Sequence, residues 1–207
     1  ETRYWHFKRL SLSNDDFFEL KSLADSLHVD FAASVWDLSA VTLFADSLKF
    51  FKVGSGDLNA FPILRAIALT GKPIIMSTGL ANLSEIKRSI DYICKLNSTY
   101  LSSDSLLLLQ CTALYPTPNS DVNLLAMRAL ASETGYKTGY SHHTIDTLAA
   151  EIAVAIGASV VEIHFTDDKT RSFRDHQISK TMEEVLSLRS RLALISSLKG
   201  ESCKVPV

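Results

Sequence analysis

Short apolar runs alternate with helix-length amphipathic stretches along most of the chain. The runs occupy residues 29–34, 50–56, 73–79, 106–112, 138–144 and 160–166. Helices are predicted at residues 17–27, 39–47, 59–70, 83–96, 123–134, 145–157 and 182–197. Near-continuous apolar strands separated by helices are typical of a parallel sheet that is covered on both faces.

The helix-end signals and the absence of a linker indicate a single domain. Ser13 and the acidic residues after it are typical of a helix N-terminus, as is the Ser84-Glu85 pair, and Gly71 and Gly157 lie where helices should end. No proline- or serine-rich linker divides the chain. We therefore predict one domain over residues 1–197 and a tail over residues 198–207.

Polar side chains close nearly every predicted strand. They are Ser34, Lys52, Ser55, Asp57, Ser77, Thr78, Gln110, Thr112, Ser141, His143, His164 and Thr166. In an open sheet only the strands beside the switch point need reactive ends. In a (β/α)₈ barrel all strand ends meet at one mouth. The pattern favours an α/β fold of the TIM-barrel type, incomplete, with about six βα units visible.

Two histidines lie near the ends of consecutive strands. One helix-length segment separates His143 from His164, so both belong to a βαβ unit and their strands end at the same edge. Neutral imidazoles bind Mn, Fe, Co or Zn, so the pair predicts a divalent-metal site. The alternative is that each is a core histidine that is hydrogen-bonded to the backbone.

Composition excludes several classes of function. The chain has 207 residues, 46% of them hydrophobic, and a net charge of −2. A near-neutral protein gives no electrostatic argument for nucleic acid or an anionic membrane. No apolar run approaches the roughly 20 residues that span a bilayer. Cys94, Cys111 and Cys203 are too few and too scattered for a disulfide framework, so we expect a reduced, cytoplasmic protein.

Five motifs in order resemble the sialic acid synthase family, which includes N-acetylneuraminate, legionaminate and pseudaminate synthases. They are KVGSGD at 52–57, GKPIIMSTG at 71–79, QCTALYPTP at 110–118, GYSHHT at 139–144 and EIHFTDDK at 162–169. The resemblance covers about residues 12–191. It implies a barrel that condenses phosphoenolpyruvate with an N-acyl mannosamine-type sugar, gives a nine-carbon 2-keto acid and phosphate, and uses a divalent metal, usually Mn²⁺.

The resemblance also implies roles for individual residues. His143 and His164 would be metal ligands and, with Asp57 as general acid or base, the catalytic residues. Substrate contacts would come from Ser34, Lys52, Ser55, Ser77, Tyr115, Ser141 and Asp175. Gly54, Gly56 and Gly79 would allow close approach of the backbone.

Each of these residues also has a structural interpretation. Lys52 could extend to solvent from a strand end, and Asp57 could cap a turn. The serines could bond neighbouring backbone, and residues 167–179 could form a solvated loop. Gly54, Gly56 and Gly79 could serve turn geometry alone.

The chain departs from the family pattern at several positions. His142 replaces the usual Asp, which puts the orientation of His143 in question. Ile163 replaces a basic residue, Phe173-Arg174 replaces Gly-Pro, and Ala113 replaces a polar residue. We interpret these changes as a divergent member or an altered sugar preference.

The family's first two strands and its small C-terminal domain have no counterpart in this sequence. We expect unpaired sheet edges and self-association to follow from the missing strands. The resemblance also allows a homodimer. Two rival functions stay open: another metal-dependent aldolase-type barrel, such as a 3-deoxy-keto-sugar phosphate synthase, and a non-catalytic remnant that acts as a binding module.

Overall fold

The structure is a computed structural model that describes residues 2–172 and 174–200. Its strands are β1 (Ala33–Ser34), β2 (Phe51–Val53), β3 (Ile74–Ser77), β4 (Leu106–Gln110), β5 (Lys137–His142) and β6 (Val161–Ile163). Its helices are α1 (Arg3–Leu10), α2 (Asn14–Ser26), α3 (Leu38–Phe44), α4 (Phe61–Thr70), α5 (Leu83–Leu96), α6 (Leu125–Thr134), α7 (Leu148–Ala155), α8 (Arg174–Ile178) and α9 (Met182–Lys199).

The six strands form one parallel sheet in the order β1-β2-β3-β4-β5-β6. Each connection contains a helix, as parallel pairing requires. Within residues 2–172 and 174–200, β1 pairs only with β2 and β6 only with β5, so the sheet is a half-barrel.

One ion pair shows how strongly the sheet curves. Lys52 on β2 and Glu162 on β6 are four strand positions apart, which is about 19 Å in a flat sheet at about 4.8 Å per strand. Yet Lys52 Nζ lies 3.3 Å from Glu162 Oε1. The carboxyl ends of the strands therefore converge on one mouth, and the predicted incomplete barrel is confirmed.

The main apolar core lies between β2–β4 and the helices that cover them. Phe51, Leu64, Ile67, Ile93 and Leu108 are among its fully buried side chains. A second and much smaller cluster, built on Val122, Tyr140 and Ala153, lies beside β5.

Helix ends follow local capping chemistry. Ser13 caps α2 in a capping box with Asp16, as expected. For α5 the cap is Asn82, boxed with Glu85, rather than the expected Ser84. Gly71 ends α4 in the left-handed conformation at φ 71°, which only glycine adopts without strain.

Several predicted boundaries were wrong. The first strand is only two residues long instead of 29–34, because it pairs on one side only and the Phe31 carbonyl accepts a bond from the loop residue Lys49. The helix predicted at 145–157 begins at Leu148, whose N–H is capped by the Asp146 side chain. The last helix continues to Lys199, two residues into the predicted tail.

Two helices were missed. Helix α1 precedes the first predicted element, and α8 lies inside the stretch 167–179 that could have been a loop. Phe173 and the tail residues 201–207 fall outside the described residues, and so does the side chain of Arg174.

The described part of the chain holds no helix long and apolar enough to cross a membrane. Cys94 and Cys111 are free thiols, and Cys203 lies outside the described residues.

Candidate active site at the carboxyl ends of the strands

A lysine, two serines and a glutamate form a connected cluster at the mouth. Lys52 Nζ donates to Ser77 Oγ at 2.8 Å, and Ser141 Oγ donates to Glu162 Oε2 at 2.6 Å. The Lys52–Glu162 ion pair joins the two hydrogen bonds. Ser77 and Ser141 are buried, and Lys52 is largely buried. Three strands thus bring the predicted residues Lys52, Ser77 and Ser141 together, and β6 adds Glu162, which was not predicted. The contacts of Lys52 rule out a side chain that extends to solvent.

The two histidines lie side by side in the same mouth. Their ring centroids are 5.4 Å apart. His143 Nδ1 lies 2.9 Å from the Thr112 carbonyl oxygen, and an imidazole can meet a carbonyl only by donating. Nε2 of His143 therefore carries the lone pair, as a metal ligand requires. Burial lowers the pKa of both His143 and His164, so the neutral imidazole is favoured.

Tyr115 and Asp175 border the histidine pair. The Tyr115 ring centroid lies 4.2 Å from that of His143 and 5.8 Å from that of His164. Asp175 belongs to α8, and its negative charge acts to raise the pKa of both histidines, against the effect of burial. Tyr115 is therefore placed where a ligand on the histidines would meet it, and Asp175 lies near enough for its charge to act on both rings.

Ser55, Gly79 and Cys111 form a tight contact behind the cluster. Ser55 Oγ accepts the Gly79 N–H at 2.9 Å and lies 3.1 Å from Cys111 Sγ. A Cβ at Gly79 would come within 2.5 Å of that sulfur, so close approach does require glycine there. At Gly56 a Cβ would meet open space, so close packing does not explain this residue.

Asp57 ends the short 3₁₀ turn Ser55–Asp57 that follows β2. Desolvation raises the pKa of its carboxyl group, and the charge of Lys52 partly opposes that shift. A raised pKa suits a group that exchanges a proton near neutral pH. Ser34 is different: register places it beside Lys52, but it lies exposed on the edge strand β1.

The comparisons with known proteins agree with this geometry. Residues 1–204 match the NeuB family. The chain belongs to the NeuB family. It is 37% identical over 206 residues to the N,N'-diacetyllegionaminic acid synthase of Legionella pneumophila, covering 99% of this chain and 58% of that protein. It is 33% identical over 201 residues to the human N-acetylneuraminate-9-phosphate synthase, covering 96% of this chain and 54% of that protein.

A solved structure is similar over nearly the whole chain. The N-acetylneuraminic acid synthetase of Leptospira borgpetersenii superposes with a TM-score of 0.90 at 28% identity, covering 97% of this chain and 68% of that one. This chain thus spans less than two thirds of the length of the two curated relatives, and its described half-barrel matches the corresponding part of a synthase of this kind.

The structure shows where two of the departures from the family pattern lie. His142 lies 2.6 Å from the Asp146 carbonyl oxygen and 2.8 Å from Thr144 Oγ1, through Nε2. It is therefore engaged with its own loop, and the carbonyl of Thr112 orients His143 instead. Ile163 ends β6, next to His164, and the Phe173 departure lies outside the described residues.

The sequence analysis does not identify two groups of this site, Glu162 and the Thr112 carbonyl. Glu162 on β6 could have been found, because it lies two residues before His164 and alternation along an extended chain places the two side chains on the same side. The Thr112 contact could not, since it depends on a backbone atom of a different strand end.

The residues present fit a divalent cation held by two protein nitrogens. Among the described residues no group of three or more His, Cys, Asp or Glu side chains could hold a metal ion. Within the part of the chain that the structure describes, a cation at His143 and His164 would thus have these two nitrogen ligands, which leaves positions open for substrate and water, as in a catalytic site.

Proposed function

We propose that this protein condenses phosphoenolpyruvate with an N-acyl mannosamine-type sugar, giving a nine-carbon 2-keto acid and phosphate. The observation that carries the proposal is the pairing of His143 with His164 beside the cationic cluster of Lys52. Membership of the NeuB family and the synthase activities for which the relatives are named support the same reaction.

The cluster around Lys52 suits the anionic substrate. Phosphoenolpyruvate carries a phosphate and a carboxylate, which a lysine and hydroxyl donors bind through charge-assisted hydrogen bonds. Ser77 already holds the Lys52 ammonium, so the charge is fixed in place before the substrate arrives. Glu162 now accepts from Ser141, and the incoming anion would compete with it for Lys52.

The histidine pair suits the sugar aldehyde. We propose Mn²⁺ as the cation that His143 and His164 hold, and its chemistry there would be to polarise the aldehyde as a Lewis acid. Tyr115 packs on His143 and would line the sugar pocket on that side. Asp175 would bind hydroxyl groups of the sugar. Asp57, with its raised pKa, would exchange protons with the reacting groups.

The reaction balances with these parts. The methylene carbon of phosphoenolpyruvate forms a bond to the aldehyde carbon, and the aldehyde oxygen takes up a proton. Water adds its oxygen to C2 of phosphoenolpyruvate as the 2-keto oxygen, and the bond between C2 and the phosphate oxygen breaks. The two protons of water end on the new hydroxyl group and on the released phosphate. The chain's own residues bind both substrates, orient one carbon toward the other and move protons at the mouth.

The first test is turnover by the protein as its gene encodes it. Phosphoenolpyruvate is offered with N-acyl mannosamines, free and phosphorylated, and with short aldose phosphates, while phosphate and 2-keto acid are measured. Condensation with an N-acyl mannosamine supports the proposal. Turnover with aldose phosphates alone would assign another synthase of the same fold, and phosphoenolpyruvate binding without turnover of any sugar would indicate a binding module.

A second test separates the pocket from general electrostatics. Lys52→Ala should weaken phosphoenolpyruvate binding by about 1.5–3 kcal/mol, the range for a hydrogen bond to a charged group. Lys72→Ala is the matched control, because Lys72 bonds the Leu48 carbonyl at the opposite end of the sheet. Equal losses in calorimetric titration would contradict a specific pocket at Lys52.

A third test concerns the metal. Titration with Mn²⁺ should show one site, and His143→Ala and His164→Ala should each weaken it at least about tenfold, as expected when a ligand is removed. Wild-type affinity in both variants would refute this assignment.

A further inference from the structure

Lys180 is a lysine with no exposed surface, although it lies only a few residues from the solvent-exposed start of α9. Its ammonium group donates to three carbonyl oxygens: Ile178 at 2.7 Å, Ile145 at 2.8 Å and Thr144 at 3.2 Å. An ammonium has three donors, so all of them are used. A buried charge that is fully hydrogen-bonded in this way holds its partners firmly in place.

The main chain of Lys180 contacts the other histidine strand. Its N–H donates to the carbonyl of His164 at 2.8 Å, and its own carbonyl accepts from Thr166 N–H at 3.0 Å. Lys180 therefore pairs in parallel with Phe165, just past the end of β6. The peptide that carries His164 is thus held from one side by Lys180.

One residue consequently joins the two strand ends that carry the histidines. The backbone of Lys180 fixes His164, and its side chain fixes Thr144 and Ile145, which follow His143 directly. We propose that Lys180 is a positioning residue that sets the separation of His143 and His164, and hence the affinity and geometry of the cation site. The inference rests on the proposed cation site at these histidines.

The location explains why a lysine is needed there. Two carbonyls of the loop after β5 and one of α8 converge on the Lys180 ammonium, which donates to all three. An apolar side chain of the same length would leave those carbonyls without their bonds, and the loop after His143 would relax toward other partners. The histidine rings would then lose their fixed separation of 5.4 Å.

The test compares two lysine substitutions in the protein as its gene encodes it. Lys180→Met removes the ammonium and keeps the length of the side chain. Lys72→Met removes a similar ammonium–carbonyl bond at the opposite end of the sheet. We expect Lys180→Met to weaken Mn²⁺ binding by about tenfold, as outer-shell changes do, and Lys72→Met to leave it within about twofold.

A second readout reports geometry rather than stability. The visible absorption spectrum of the Co²⁺-loaded protein should change in Lys180→Met and not in Lys72→Met. If circular dichroism shows that Lys180→Met does not fold, Lys180→Gln, which keeps an amide donor, takes its place. Its Mn²⁺ affinity and Co²⁺ spectrum should then change in the same direction, but less than the effect expected for Lys180→Met.

The outcomes are distinct. A folded Lys180 variant with wild-type Mn²⁺ affinity and Co²⁺ spectrum would overturn the inference and leave the cation site standing. Equal effects from both lysines would also overturn it, because they would indicate general destabilisation. Absence of Mn²⁺ binding in the wild-type protein would refute the cation site itself and, with it, the inference.

Discussion

The two halves of this sheet bury different kinds of side chain. Strands β2–β4 bury apolar side chains such as Phe51, Ile74 and Leu108 under α3, α4 and α5. Around β5 and β6 the buried side chains are largely polar: Thr138, Ser141, His142, His143, Thr144, Thr166, Ser179 and Lys180. One continuous hydrogen-bonded sheet joins the two halves.

The difference shows where stability and chemistry reside. Apolar burial is non-directional and tolerates small shifts, whereas each buried polar group needs its partner in place. The first half therefore supplies most of the hydrophobic stabilisation, and the second half holds polar groups in defined positions. The histidine pair belongs to the second half, and the Lys52 cluster bridges the two.

Phe51→Ala tests the apolar half and should have the largest effect. Phe51 is fully buried in β2, and truncation of such a side chain costs about 3–5 kcal/mol. Urea unfolding measures the loss, with Phe18→Ala on the exposed face of α2 as the control. A similar loss from both phenylalanines would show that the large core does not carry the stability assigned to it.

Gly139→Ala tests the fit between the halves. A Cβ on Gly139 of β5 would clash with the Val160 carbonyl oxygen and lie 2.8 Å from Leu109 Cδ2 of β4. Overpacking of this kind costs about 1–3 kcal/mol, here at the upper end because backbone must move. Gly56→Ala, where the Cβ meets open space, is the control in the same unfolding measurement. Unchanged stability of Gly139→Ala would mean that the β4–β5–β6 packing is looser than described.

The sequence predicts the apolar half of the sheet better than the polar half. Apolar periodicity predicts the strand order and the helices of the first half, and the alternation of strand and helix predicts the parallel sheet. Strand ends predict that Lys52, Ser77, Ser141, His143 and His164 share one mouth, which the structure shows. These inferences rest on repeating local patterns.

What the sequence does not predict depends on contacts between distant residues. The Thr112 carbonyl that orients His143 and the three carbonyls around Lys180 are backbone groups without a sequence signal. The short β1 and the late start of α7 follow from edge position and from loop capping, which override the apolar pattern. Polar interiors are specified by tertiary geometry rather than by periodicity.

Acid should weaken the polar half selectively. Burial lowers the pKa of His142 to about 4 and also lowers the pKa of His143 and His164. The unfolded chain then binds more protons than the folded one below the ordinary histidine range, so the stability present above pH 6.5 is lost as the pH falls toward 4. We expect a loss of about 3 kcal/mol in metal-free protein from His142 alone, because its pKa falls from 6.5 to about 4 and each pKa unit is worth about 1.4 kcal/mol.

The free energy of unfolding is measured with urea at several pH values in the presence of a chelator, and two variants test the cause of its pH dependence. His142→Gln keeps a donor for the Asp146 carbonyl but does not titrate, so its stability should fall less between pH 6.5 and 4. Phe51→Ala should lower stability equally at each pH. A wild-type profile that is flat over this range would contradict neutral, buried histidines.

The smallest effect should come from polar contacts of the second half that lie at the surface. Arg191 on α9 contacts Glu151 at 2.9 Å and Thr147 at 2.6 Å, and so ties α9 to α7. Because the Arg191 side chain is half exposed, water and salt screen the pair, and Arg191→Met should cost only about 0.2–1 kcal/mol. The loss should shrink further in 0.5 M NaCl, roughly three times the physiological ionic strength. Arg189→Met on the same helix is the control. If Arg191→Met were as damaging as Gly139→Ala, the distinction between interior and surface polar contacts in this half would not hold, and α9 would have to be counted with the polar interior.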